Sequence, residues 1–148
     1  MNDLTPHQLS YLAVAHVRVQ LAKRGVIAID APAFFEYDLI TQGGLRIEVK
    51  SSRMRNLEHP YWAFTNTREG AYTKGAARHQ RTDRKCDYFI LVGFRDYEFP
   101  SFFVLPKEII GMRRTIHLPY NRRYDGRYTS YRDLWEPLTN VERRLHPS

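Results

Sequence analysis

The sequence predicts a single α/β domain. Three observations carry this prediction: a helix with clear start and stop signals early in the chain, two short alternating runs around a pair of glycines, and a continuous apolar run further along. In order, the elements are a helix, three strands, a helix and a buried strand. The chain has 148 residues, of which 43% are hydrophobic, so it is long enough to bury one core.

The first helix is marked at both ends. Thr5 can cap it, Pro6 suits its first position, and Gln8 completes a capping box. Gly25 fits as its terminator. Helical spacing predicts a buried stripe of Leu12, Ala15, His16, Val19 and Ala22. On such a stripe, His16 is more often a hydrogen-bonded core histidine than a metal ligand.

Two alternating runs, at 35–40 and 45–50, flank two adjacent glycines and predict a β-hairpin. A three-residue loop at 42–44 would place Asp38 directly opposite Glu48, on one face with Lys50. A two-residue turn on the glycines alone would move Asp38 to the other face, so both registers stay open. In the first register the packed face would carry Tyr37, Leu39, Ile47 and Val49.

The face that would hold Asp38, Glu48 and Lys50 has a specific chemistry. Two carboxylates whose Cβ atoms lie ~4.5–5.5 Å apart repel each other, and such a pair usually needs a cation or a shared proton. Carboxylate oxygens suit a hard cation such as Mg²⁺ or Mn²⁺, and Lys50 adds a positive charge beside it. The alternative is a solvated strand face on which Glu48 and Lys50 form a weak ion pair.

The elements after the hairpin follow from composition. The segment 51–59, with Arg53 and Arg55, is predicted as a loop, and 60–65 as a third strand. A helix is predicted over 74–85, with basic residues at Lys74, Arg78, Arg81, Arg84 and Lys85. The apolar run 87–94 is typical of a buried central strand. Its predicted partner is 101–105, and a short helix should begin at Pro106.

From residue 112 onward the chain is rich in arginine and tyrosine. The arginines are Arg113, Arg114, Arg122, Arg123, Arg127 and Arg132, and the tyrosines are Tyr120, Tyr124, Tyr128 and Tyr131. Arginine contacts phosphates and tyrosine can stack on bases, so this composition suits nucleic acid. The alternative is an ordinary packed extension with a short helix near 130–136.

Composition limits the classes of function. The formal net charge of +7 points towards a polyanion. No run of about 18 apolar residues occurs, so no membrane span is expected, and no secretory signal pattern is visible. The single cysteine, Cys86, excludes an internal disulfide and fits a reducing compartment, so the expected location is cytoplasmic.

Three short segments resemble the PD-(D/E)XK nuclease superfamily, which has the restriction-endonuclease-like fold. They are Tyr37-Asp38-Leu39-Ile40, Ile47-Glu48-Val49-Lys50-Ser51-Ser52 and Cys86-Asp87-Tyr88-Phe89. The chain looks most like the small stand-alone members, such as group I intron homing endonucleases, resolvase-like enzymes and phage or restriction nucleases. The resemblance implies an αβββαβ nuclease core over 1–111, with a mixed central sheet flanked by helices, and a basic extension of the same domain over 112–148. Tyr37 replaces the motif's proline.

The resemblance implies a metal-dependent DNA endonuclease of homing, restriction or resolvase type. Asp38 and Glu48 would bind Mg²⁺ (or Mn²⁺), and the backbone carbonyl of Val49 would be a further ligand. Lys50 would orient or activate the attacking water. Because cutting both strands needs two active sites, a homodimer or higher homo-oligomer is expected.

Further residues are implied with less direct support. Many members carry an acid on the first helix, whereas none occurs between Asp3 and Asp30 here, so His16, Gln8 or Gln20 would take its place or leave it empty. Gln80 would be an auxiliary residue on the second helix. The expected nucleic-acid contacts are Arg53, Arg55, Lys74, Arg78 and Arg81. The alternatives are a catalytically inactive nucleic-acid-binding protein on the same fold and a basic RNA-processing or ribosome-associated protein.

Overall fold

The computed structural model describes residues 3–56, 58–66, 86–111, 113–120 and 126–147. The helices are α1 (Pro6–Lys23), α2 (Lys107–Ile110) and α3 (Glu136–Leu145). The strands are β1 (Ala28–Asp30), β2 (Leu39–Thr41), β3 (Arg46–Arg53), β4 (Tyr61–Thr65), β5 (Tyr88–Phe94), β6 (Ser101–Pro106) and β7 (Thr115–Pro119). The helix predicted over 74–85 lies outside the described residues.

The ends of α1 confirm the sequence signals. The amide of Gln8 donates to Thr5 Oγ1 (3.1 Å), and the amide of Thr5 donates to Gln8 Oε1 (2.9 Å), which completes the capping box. Gly25 follows the helix with a positive φ of 79°, a conformation that glycine adopts without steric cost.

The predicted buried stripe of α1 is wrong. The buried side chains are Leu9, Ala13, Val17 and Leu21, whereas Ala15 and Ala22 are exposed and Val19 is 51% exposed. Apolar residues occur on every side of this helix, so spacing alone does not select one face. The face of α1 that becomes buried is the one that packs against the central sheet.

A mixed sheet of five strands in the order β1-β2-β3-β5-β6 forms the centre of the described part of the chain. β5 pairs parallel to β3 and antiparallel to β6. Every residue of β5 is buried, which explains its continuous apolar sequence. The strands predicted at 87–94 and 101–105 and the short helix after Pro106 are confirmed as β5, β6 and α2.

The third predicted strand exists but belongs to a different sheet. β4 pairs antiparallel with β7 in a two-stranded ribbon. The third N-terminal strand of the central sheet is β1, which lies beside β2. Trp62 and Phe64 alternate along β4 and are fully buried against β5 and β6. Such an alternation identifies a strand with one buried face without identifying its partner strand.

Two hydrophobic cores cover the two faces of the sheet. One packs α1 against residues such as Ile47, Ile90 and Val92, and the other packs the β4–β7 ribbon against Phe89 and Leu91. Gly93 is required at the second core, because a Cβ there would lie 2.5 Å from the ring of Trp62.

The described part of the C-terminal extension is packed, which favours that alternative for its tyrosines. Tyr128 is 4% exposed, and Tyr120 and Tyr131 pack against the second core. A short 3₁₀ turn occupies Thr129–Tyr131, and α3 begins only at residue 136, so the helix predicted near 130–136 is displaced. Tyr124 lies outside the described residues.

Within the described ranges, no helix is both long and apolar enough to cross a bilayer.

Candidate active site

The β2–β3 hairpin has the register that places the two acidic residues together. Leu39 pairs with Ile47 and Ile40 with Arg46, which confirms the three-residue loop. Gly44 ends this loop with a positive φ of 93°, the conformation expected for its last position. Continued by one residue beyond the Leu39–Ile47 pair, this register would place Asp38 opposite Glu48.

β2 begins at Leu39, and Asp38, just before it, contacts β3 through both its backbone and its side chain. A continued ladder would place Tyr37 opposite Val49. Instead, residues 35–37 bend away, the amide of Asp38 donates to the carbonyl of Ile47 (2.9 Å), and the amide of Val49 donates to Asp38 Oδ2 (2.7 Å). The carboxylate is therefore fixed against β3 through one oxygen. Tyr37 packs with the second core, so its predicted place beside Leu39 is wrong.

Asp38, Glu48, Val49 and Lys50 line one cavity of about 790 Å³. Glu48 is 7% exposed, so its carboxylate sits deep in the site, and Lys50 is half-buried beside it. α1 forms one wall and β4 another. The hairpin thus brings the three predicted catalytic side chains to a common space.

Ser52 fastens the β4 wall to β3. Its hydroxyl donates to the carbonyl of Arg53 (2.8 Å) and accepts from the amide of Ala63 (3.1 Å). Ala63 and Thr65 of β4 line the cavity. The buried hydroxyl therefore fixes the position of this wall relative to the carboxylates.

The two predicted nucleic-acid contacts that lie among the described residues, Arg53 and Arg55, differ in their surroundings. Arg53 lines the cavity, but its guanidinium donates to the carbonyl of Leu4 and to Tyr97 Oη (3.4 Å). It therefore ties the end of β3 to the start of α1. Arg55 is exposed and lines the cavity mouth, where it is accessible to a phosphate. Lys74, Arg78, Arg81 and Gln80 lie outside the described residues.

α1 does not bring any of the three proposed substitutes for its missing acid to the cavity. Nε2 of His16 lies 2.7 Å from the carbonyl of Tyr97, and its ring packs beside Phe94 and Phe102. Gln8 caps the helix, and Gln20 accepts from Arg24 (3.0 Å). The position of His16 gives it a structural contact and does not support an auxiliary catalytic role.

Two cavity residues were not anticipated as site residues. Ser10 is the polar side chain that α1 presents, and Glu36 lines the cavity together with Asp38. The alternation along 35–40 puts Glu36 on the same face as Asp38, which is the sequence signal that points to it. Ser10 became identifiable only once the buried face of α1 was known.

An ion pair between Arg46 and Asp87 links β3 to the residue before β5, next to the site. Arg46 donates to Asp87 through its amide (2.8 Å), Nε (3.1 Å) and Nη2 (2.9 Å). Burial alone would raise the pKa of Asp87, but the hydrogen bonds and charge of Arg46 outweigh this effect and hold the pKa below its ordinary value. The contact joins the starts of β3 and β5, two residues before Glu48.

We expect Asp87→Asn to lower the free energy of unfolding by about 1–2 kcal/mol at pH 7, because it removes a charged bidentate contact that is partly solvated. The folded-state pKa is the lower one, so this stabilisation is present above pH ~4, the unfolded-state pKa, and is lost as the pH falls through the folded value. Stability should therefore decline less below pH ~4 in the variant. Urea denaturation at several pH values measures both effects.

Asp30→Asn is a matched control, because Asp30 and Arg18 form an exposed ion pair at 3.6 Å. Its effect should stay below about 1 kcal/mol. Equal effects of the two substitutions would contradict a special role for the Arg46–Asp87 contact.

The donor set suits a magnesium-type cation. Two carboxylates and a strand carbonyl are available, and the cavity leaves room for water. No cluster of three or more histidine, cysteine or acidic side chains is found among the described residues. Mg²⁺ typically takes one or two carboxylates and completes its shell with water and phosphate oxygens. The residues present therefore fit such an ion.

No protein-family model matches the chain, and no curated protein does so either. A solved structure does: the bacterial homing endonuclease I-Ssp6803I, with a TM-score of 0.77 and 20% identity. The match covers 96% of this chain and 98% of that one. At this identity the likeness shows a shared fold over the full length of both chains. The mixed α/β architecture expected from the sequence is thereby confirmed.

Proposed function

We propose that the protein is a metal-dependent DNA endonuclease of the PD-(D/E)XK superfamily, acting as a homing, restriction or resolvase-type enzyme. The observation that carries this proposal is the convergence of Asp38, Glu48 and Lys50 on one cavity through the register of β2 and β3. The fold shared with a homing endonuclease and the net charge of +7 support it.

The proposed roles follow from the side chains. Asp38, Glu48 and the carbonyl of Val49 would hold Mg²⁺ (or Mn²⁺). When bound, this ion supplies a water of lowered pKa and neutralises phosphate charge. The Val49 amide orients Asp38 through Oδ2. Lys50 places a positive charge where the pentacovalent phosphate becomes more negative and orients the attacking water.

A plasmid-nicking assay tests this function. Wild-type protein should convert supercoiled DNA to nicked or linear forms with Mg²⁺ or Mn²⁺ and should be inactive with EDTA. Lys50→Ala should lower the rate by about 10²-fold or more, because it removes a charge aimed at the transition state.

Lys23→Ala is the matched control, because Lys23 is exposed at the end of α1 and does not line the cavity. It should nick at the wild-type rate. Equal nicking by wild type and Lys50→Ala would show that the catalytic assignment is wrong.

A catalytically inactive nucleic-acid-binding protein on the same fold is the second candidate. One observation favours it: α1 presents Ser10 to the cavity, where the superfamily often supplies an acid. DNA binding without nicking in either Mg²⁺ or Mn²⁺ would select this alternative.

The assembly proposed for double-strand cleavage is a homodimer or higher homo-oligomer, because each site cuts one strand. Light scattering of the purified protein, alone and with duplex DNA, measures the stoichiometry. A monomer that cuts both strands in one binding event would contradict it.

A further inference from the structure

The segment 31–38, directly before β2, is a compact loop closed by its own backbone. The amide of Ala31 donates to the carbonyl of Asp38 (2.9 Å), and the amide of Phe35 donates to the carbonyl of Pro32 (2.9 Å). These bonds fix the loop tip relative to Asp38, so whatever the tip presents has a set position next to the candidate metal ligand.

The tip of this loop presents aromatic side chains to solvent. Phe34 is 80% exposed and Phe35 is 45% exposed, and their rings meet edge to face with centroids 4.8 Å apart. Phe35 also contacts Tyr37 at 5.5 Å between centroids. We call Phe34 and Phe35 the aromatic crest. Adjacent exposed phenylalanines on a fixed loop are typical of a surface that meets a partner.

The aromatic crest stands between two cavities. Phe35 lines the cavity of Asp38 and Glu48, whereas Ala33 lines a second cavity of about 460 Å³. Asp38 lines both, so the cavities adjoin at the proposed catalytic residue. Arg18 and His7 line the second cavity, but so do Asp38 and Asp30, and Asp30 pairs with Arg18 at 3.6 Å, so this cavity offers no net positive charge with His7 neutral. Phe34 lies between Ala33, which lines the second cavity, and Phe35, which lines the first.

This arrangement suits DNA whose scissile phosphate lies at the carboxylate cavity. Because Phe35 lines the same cavity as Asp38 and Glu48, the base step next to that phosphate would meet the aromatic crest. Apolar wedges such as phenylalanine unstack and kink duplex steps, and aromatic rings stack on any exposed base.

Building on the proposed function, we propose that the aromatic crest inserts at the base step beside the scissile phosphate and stacks on the base that it displaces. The substrate would accordingly be a duplex opened at that step by the protein. Phe34, the more exposed of the two, is the leading side chain, and Phe35 supports it from the cavity side.

The test compares Phe34→Ala with Phe99→Ala. Phe99 is 78% exposed and lines neither cavity, so it is a matched control. With Ca²⁺ in place of Mg²⁺ to hold the complex, potassium permanganate reports thymines that have left the stack. We expect wild type and Phe99→Ala to make thymines reactive and Phe34→Ala to lose this reactivity. Cleavage of an intact duplex by Phe34→Ala should fall about tenfold.

A duplex with a mismatch at the step next to the cut supplies a second readout. Because that step is already weakened, the mismatch should restore most of the lost rate to Phe34→Ala. A variant that had merely lost its structure would remain inactive on this substrate. If Phe34→Ala cuts the intact duplex at the wild-type rate and permanganate reactivity is unchanged, the inference is overturned while the nuclease function stands.

Binding data separate the inference from the function on which it rests. Permanganate reactivity that depends on Phe34, in a protein that does not cleave, would support the crest and remove the nuclease proposal. No reactivity in saturated wild-type complexes would overturn the crest. If Phe34→Ala changes only the oligomeric state, the aromatic crest contacts a second copy of the chain and not DNA. The inference is then likewise overturned.

Discussion

Glu48→Gln should abolish cleavage and leave duplex binding nearly unchanged. Glutamine keeps the shape of the buried side chain and removes the negative charge that would hold the cation. We expect the rate of cleavage to fall by at least about 10³-fold, equivalent to about 4 kcal/mol of transition-state stabilisation. Affinity for DNA should be equal or slightly higher, because one negative charge near the phosphate is lost.

Single-turnover cleavage with Mg²⁺ and DNA binding without a divalent metal, in EDTA, measure the two effects separately. Glu58→Gln is the matched control, because Glu58 is exposed after β3 and does not line the cavity. It should behave like wild type in both assays. Cleavage by Glu48→Gln at near the wild-type rate would contradict the assignment of Glu48 as a metal ligand.

Glu142→Ala should be strongly destabilising, because this buried carboxylate of α3 holds the turn of the β2–β3 hairpin. Glu142 is 5% exposed. It accepts from the amide of Gly43 (2.6 Å) and from the hydroxyl of Thr41. Its loss would leave the half-buried Gly43 amide without this acceptor, and the buried Thr41 hydroxyl, which still accepts from the Leu45 amide, without an acceptor for its proton. We expect the free energy of unfolding to fall by about 2–4 kcal/mol.

Urea denaturation followed by circular dichroism measures this loss. Glu136→Ala is the matched control, because Glu136 lies on the same helix with an exposed side chain, and its effect should stay below about 1 kcal/mol. Similar effects of the two substitutions would contradict the role of α3 as a brace for the hairpin. Thermal inactivation of nuclease activity should follow the same order.

The part of the fold that sequence could predict is the part encoded by local chemistry. The capping box at Thr5, the terminator Gly25 and the buried strand β5 each depend on residues close together in the chain. The hairpin register belongs to the same class, because the two glycines and the alternating runs limited it to two choices. The three-residue loop, which is the choice that the structure adopts, was the one predicted to place Asp38 opposite Glu48.

The features that sequence could not predict depend on distant partners. The buried face of α1 is selected by the sheet, and β4 pairs with β7 across about 50 residues, counting from residue 63 to residue 117. The contact between Glu142 and Gly43 spans 99 residues. No local sequence pattern predicts this contact. It does explain the glycine at position 43, because a Cβ there would lie 2.7 Å from Glu142 Oε2.

The candidate site shows the same division. Asp38, Glu48 and Lys50 were predicted from the hairpin and converge on one cavity, whereas Ser10 depends on how α1 rotates onto the sheet. The residue type of His16 suits an auxiliary site residue, but its ring nitrogen contacts the Tyr97 carbonyl, which is a structural role. Residue type and short spacing predicted which strand residues share the cavity, and packing determined which helix residues face them.

The most direct test of the central claim is a crystal structure with Mn²⁺ and duplex DNA, using the anomalous signal of manganese to locate the ion. We predict a peak bonded to one oxygen of Asp38 and one of Glu48, next to a phosphate and within reach of Lys50. A map without a peak between these two carboxylates, at a manganese concentration that supports cleavage, would contradict the account.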